Sequence, residues 1–168
     1  MMNDLIVAIS TPPGEGAIGI IRLSGQGAID LLARIFRPYN ANLDITARNN
    51  YSLNLGWIMD ANSEKIDEVL VSIMRGPHSY TAEDVVEINC HGGSVAIRRC
   101  LQRCLEEGAR LAEPGEFTKR AYLNGRLELS QAEAVMEIIR AKTERGLKLA
   151  LQEMEGKSGQ VIAELEEH

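Results

Sequence analysis

The chain is predicted to be an α+β protein, a mixed sheet with flanking helices followed by an all-helical arm that is incomplete. Three observations predict it. Short β-branched runs alternate with helical periodicity up to about residue 129. Glycine- and proline-rich loops separate those runs. Residues 130–167 then lose every strand pattern, contain no proline, and are rich in Ala, Glu, Leu, Lys and Gln.

Taken in order, residues 5–10 and 17–23 are apolar strands separated by the loop around Pro12, Pro13 and Gly14. Residues 26–36 have helical spacing at Ile29, Leu32, Ala33 and Phe36, with Pro38 just past the end. Residues 51–59 and 68–74 read as two strands around a hairpin-like connection beginning at Asp60. Residues 85–90 form a further strand. Residues 94–107 form a helix with Val95, Ile97, Leu101 and Leu105 as apolar members, which Gly108 suits as a terminator. A short basic helix precedes the Asn124-Gly125 turn. Ser130 and Glu133 have capping-box spacing, so a helix is expected to start there. Leu147, Leu151, Met154, Val161 and Leu165 make an apolar stripe, and Gly146 and Gly156 are candidate breaks. One or two helices cannot bury such a stripe alone. The expected division is a first domain at 1–125 and the first part of a helical domain at 126–168, so the chain reads as a fragment.

Composition narrows function. The 168 residues are 45% hydrophobic and 25% charged, ordinary for a soluble globular protein. No apolar run approaches the roughly 20 residues of a membrane span, and the N-terminus lacks a basic signal region. The cytoplasm is the expected location. A net charge of −6 and 4% aromatic residues argue against direct nucleic-acid binding by this chain. Cys90, Cys100 and Cys104 form no Cys-x-x-Cys pair, so neither a disulfide framework nor a zinc site is expected, and Cys100 and Cys104, four apart on a helix, read as packing residues.

Several motifs admit a bland and a sharp reading. Gly14-Glu15-Gly16-Ala17-Ile18-Gly19 has dinucleotide-loop spacing, but a β-type run follows it where a helix is required, so a loop between strands is the better account. Gly156-Lys157-Ser158 lacks the upstream glycine of a phosphate loop. His91-Gly92-Gly93 fits either an anion-holding helix start or a tight strand-to-helix turn. Glu87 falls inside an apolar strand, Arg22 ends another, and Arg126 follows the Asn124-Gly125 turn. Together they suggest a pocket lined by polar groups.

The chain resembles the N-terminal part of the tRNA-modification GTPase family called MnmE or TrmE. The likeness lies in residues 6–25, in 76–87 with 90–93, and in 114–134, where Pro114-Gly115-Glu116-Phe117-Thr118-Lys119-Arg120 leads into Asn124-Gly125-Arg126-Leu127. The resemblance implies a folate-binding fold like that of folate-dependent aminomethyltransferases, holding a 5-formyl-tetrahydrofolate type of one-carbon donor and carrying a homodimer contact. It further implies a helical domain interrupted by a G domain, which would use GTP, Mg and K. With the partner MnmG (GidA), such proteins modify the wobble uridine of certain tRNAs at its fifth carbon. Carried over by position, the folate contacts fall on Arg22, Glu87 and Arg126, whereas no catalytic or metal-ligating residue is implied. The family usually has lysine where this chain has Arg126, so reach and hydrogen-bond geometry differ there. No GTPase motif lies in these residues, so this chain by itself is expected neither to hydrolyse GTP nor to modify tRNA. The rival readings are a stand-alone aminomethyltransferase-like protein and a purely structural dimerisation module.

Overall fold

The computed structural model describes residues 4–156. The chain divides into two compact units between Pro114 and Gly115, and each is treated by itself.

The first unit is a mixed sheet with two helices. Its elements are β1 (Ile6–Ile9), β2 (Ile18–Ser24), α1 (Ala28–Ile35), β3 (Phe36–Pro38), β4 (Ser52–Met59), β5 (Lys65–Met74), β6 (Val85–His91), α2 (Ser94–Glu106) and β7 (Arg110–Leu111). Seven strands lie in the order β3-β4-β5-β6-β2-β1-β7, all neighbours antiparallel except the parallel pair β1 and β7. The expected mixed sheet with flanking helices is therefore present. β3 and β7 were not expected, and β5 begins at Lys65 rather than Glu68.

Strand alternation decides which face is covered. Ile21 and Leu23 of β2, Val69, Val71 and Ile73 of β5, and Val86 and Ile88 of β6 are all buried, and they form one core with Leu31, Leu32 and Ile35 of α1 and with Cys100 and Cys104 of α2. The alternate residues point the other way. Ile18 (63% exposed), Leu53 (61%), Leu55 (51%) and Leu70 (38%) leave an apolar surface on that face. The three cysteines are buried free thiols, and the burial of Cys100 and Cys104 on α2 agrees with their reading as packing residues. Burial pushes the Cys104 thiol up to about 12.

Gly56 has a packing reason. A Cβ there would lie 2.3 Å from the Arg37 carbonyl oxygen and 2.6 Å from the Phe36 ring, because Pro38 pairs with Gly56 across β3 and β4. Backbone cannot yield as a side chain does. Gly56→Ala is expected to destabilise the first unit by about 1–3 kcal/mol, read as a lower thermal midpoint; an unchanged midpoint would refute it.

The ends of α1 and α2 are joined by charge. Glu107 accepts from Arg34 Nε at 2.6 Å and from Arg103 Nη2 at 2.5 Å. These bonds, Arg34's foremost, hold the Glu107 carboxyl below its ordinary 4.5. A depressed folded-state value means stability that is fully present above the unfolded value and lost as pH falls through the folded one. Glu107→Gln should therefore flatten the loss of stability below about pH 4.5. Urea midpoints between pH 3 and pH 7 test this, and parallel curves for both proteins would contradict it.

The second unit is helical among its described residues: α3 (Glu116–Leu123), α4 (Leu129–Arg140) and α5 (Glu144–Met154). The helix start expected at Ser130 is corrected. Glu128 is the extended cap residue, and its N–H donates to Gln131 Oε1 at 2.9 Å, so the box is Glu128–Gln131. The cause is the preceding turn. The N–H groups of Arg126 and Leu127 both bond back to the Ala121 carbonyl and Leu127 is buried, which brings the chain to helix geometry two residues early. Gly146 does not break α5; its N–H is capped by Thr143 Oγ1 at 3.1 Å. Gly156, at φ +75°, does end it. α4 and α5 each bury one small residue, Ala134 and Ala150, and Gln131 Nε2 of α4 donates to the Met154 carbonyl of α5. Leu147 and Leu151 of the expected stripe stay 39% and 45% exposed. Val161, Leu165, Lys157 and Ser158 lie outside the described residues. No helix among the described residues is long and apolar enough to cross a membrane.

Candidate ligand-binding site

Two of the three expected site residues meet. β2 and β6 are antiparallel neighbours whose register puts Arg22 directly opposite Glu87. Arg22 Nε and Nη2 reach Glu87 Oε1 at 2.8 and 2.7 Å. The side chains are 26% and 23% exposed, so the pair is sheltered yet open to a ligand. Tyr80 lies beneath Arg22, with the guanidinium carbon 5.3 Å from the ring centroid, close enough for cation–π attraction.

The segment holding Tyr80 is fixed by polar contacts. Ser24 Oγ, two residues along β2 from Arg22, lies 2.6 Å from Thr81 Oγ1 and donates to Glu83 Oε2 at 2.7 Å. Gly76 N–H donates to Asp84 Oδ1, and Gly25 N–H to the Asp84 carbonyl. Sequence reasoning missed Tyr80. The available signal was one aromatic in a stretch bounded by glycine, proline and acids.

Glu87 also lines a cavity of about 530 Å³ on the apolar face of the sheet, together with Ile18, Leu53, Leu55, Leu70 and Ser72. A second hollow, about 460 Å³, lies under the glycine loop against Gly92, Ser94 and Arg98 at the start of α2. Gly14–Gly19 runs into a strand rather than a helix, as expected from the sequence. His91-Gly92-Gly93 proves to be the tight turn. The His91 N–H donates to Asp67 Oδ2 at 2.8 Å and the Gly92 N–H to the Ala17 carbonyl at 3.2 Å, so both are used within the protein. A Cβ on Gly92 would sit 2.4 Å from the Gly16 carbonyl oxygen, which is why the turn is glycine.

Arg126 belongs to the second unit. Gly125, at φ +73°, makes the turn that presents it, and its side chain is exposed. Its backbone is pinned by a 2.9 Å bond to the Ala121 carbonyl.

Residues 5–126 match the family model described as "GTP-binding protein TrmE N-terminus". The chain is 58% identical over 167 residues to the tRNA modification GTPase MnmE of Syntrophomonas wolfei, covering 99% of this chain and 36% of that protein. It is 59% identical over 168 residues to the protein of the same name from Moorella thermoacetica, again covering 99% and 36%. With that of Carboxydothermus hydrogenoformans it shares 59% over 157 residues, covering 93% and 34%. The chain thus spans about a third of the length of these curated relatives.

Proposed function

Because the chain belongs to the TrmE (MnmE) family and corresponds to its N-terminal part, we propose that it is the ligand-binding, dimer-forming part of a tRNA-modification GTPase acting on the wobble uridine at its fifth carbon. In this reading residues 1–125 bind a 5-formyl-tetrahydrofolate type of one-carbon donor and dimerise, and residues 126–168 open a helical domain. GTP, Mg and K serve the remainder of the protein, MnmG and tRNA are its partners, and the cytoplasm is its location.

The observation that carries the folate reading is the Arg22–Glu87 pair. Both arginine contacts fall on Glu87 Oε1, so Oε2 can accept a further donor. A pterin presents paired N–H groups on its amino-pyrimidinone edge, which a carboxylate matches. The acidic tail of a folate suits Arg22 or Arg126. The dimer reading is supported by Ile18, Leu53, Leu55 and Leu70, whose exposure on one sheet face a second copy would relieve.

Calorimetric titration with 5-formyl-tetrahydrofolate, with sedimentation on the same sample, tests both parts. Saturable binding near one ligand per chain in a dimer is expected. A folded dimer that binds no folate would leave only the structural role, and a monomer would remove the dimer contact. Turnover of an aminomethyl donor would favour the stand-alone transferase instead.

A further inference from the structure

Asp67 of β5, Cys90 of β6 and Cys100 of α2 converge between the sheet and α2, their ligand atoms all within 4.8 Å of one another. Cys90 and Cys100 are 3% and 0% exposed. The Asp67 side chain, 10% exposed, lies on the helix-covered face, opposite the buried Ile58 and two residues from Val69. A carboxylate in that position is costly unless its oxygens are satisfied. Two contacts come from His91: its N–H donates to Oδ2 at 2.8 Å, and Nδ1 lies 2.7 Å from Oδ1. A carboxylate offers about four acceptor sites, so the same group retains capacity towards the thiols.

We propose that Asp67, Cys90 and Cys100 form a binding site for a thiophilic divalent cation of the zinc class. The donor set is two sulfurs and one oxygen. Thiolates select such ions, whereas magnesium and calcium prefer all-oxygen sites. Zinc takes sulfur at about 2.3 Å and carboxylate oxygen at about 2.0–2.2 Å. Tetrahedral coordination then places donors roughly 3.5–3.8 Å apart, against the 4.8 Å within which the present ligand atoms lie. Each donor stands on a regular element, which favours a defined site. Three protein ligands leave a fourth position for water. His91 orients Asp67 as an outer hydrogen-bonding partner orients a ligand. A bound divalent ion deprotonates coordinating thiols, so two thiol protons pass to solvent for each ion taken up. Cys104, one turn along α2, is buried but lies outside the cluster, and it supplies the internal control.

The test is titration of the reduced 168-residue chain with Co²⁺, followed by near-ultraviolet thiolate-to-cobalt charge-transfer absorption, and then by addition of Zn²⁺. Saturation at one ion per chain, with the band abolished by zinc, is expected. Cys90→Ser and Cys100→Ser should each halve the band and weaken binding at least about tenfold. Asp67→Asn should weaken binding while keeping the two-thiolate band, and Cys104→Ala should change neither. Absence of the band in the folded wild-type chain overturns the site without recourse to any variant. A band that survives both serine substitutions, or that disappears in Cys104→Ala, overturns it equally.

Discussion

Glu87→Gln is expected to weaken 5-formyl-tetrahydrofolate binding by about 1.5–3 kcal/mol, the worth of a hydrogen bond to a charged group, or roughly 10–150-fold in Kd. The fold should survive, because the Arg22–Glu87 pair is about a quarter exposed and such pairs contribute only about 0–1 kcal/mol to stability. Glu87 could act directly on the ligand or only by aiming Arg22. A double-mutant cycle separates these. If Glu87 meets the pterin edge, Glu87→Gln also weakens binding when Arg22 is already alanine. If it only holds Arg22, the second substitution adds little. Affinity unchanged in the single variant, measured by calorimetry with folding confirmed by circular dichroism, removes Glu87 from the site.

Sequence periodicity revealed the long elements because each carries its own pattern. Val85–His91 alternates, and Ala28–Ile35 and Ser94–Glu106 hold apolar faces at helical spacing. β3 and β7 carry none; they are three and two residues long and exist through their partners. Arg110 and Ala112 donate to the carbonyls of Leu5 and Val7, a pairing that no local signal encodes. The same division runs through the candidate site. A charged residue inside an apolar strand is visible, so Glu87 and Arg22 could be named. That they face each other is a matter of register between strands 65 residues apart. Asp67 was invisible for another reason: the expected strand began one residue too late to include it. Extending period-two alternation back from Val71 and Val69 would have placed a carboxylate on the buried face.

The most specific stretch of sequence, residues 114–134, also contains a buried ion pair. Glu116 and Arg120, one helical turn apart on α3, are 2% and 1% exposed, with Arg120 Nη2 donating to Glu116 Oε1 at 3.1 Å. Removing one partner leaves the other charge buried, so Glu116→Ala is expected to destabilise the protein by about 3–5 kcal/mol, far more than the few tenths of an exposed pair at the same spacing. Replacing both with methionine should recover much of that loss, because the desolvation of two charges is then avoided. Urea denaturation of the two single variants and the double variant provides the comparison. A wild-type midpoint in Glu116→Ala would show that the pair carries no weight. A double variant as unstable as the single one would mean that the further contacts of the two charges outweigh the desolvation avoided. On this account the segment is constrained twice over: Arg126 is presented by a turn whose backbone closes on Ala121, and Ala121 is a buried residue of α3, the helix that carries the buried pair. If Arg126 contacts the ligand as proposed, Glu116→Ala should also weaken binding through displacement of that turn, and the methionine pair should restore binding where it restores α3.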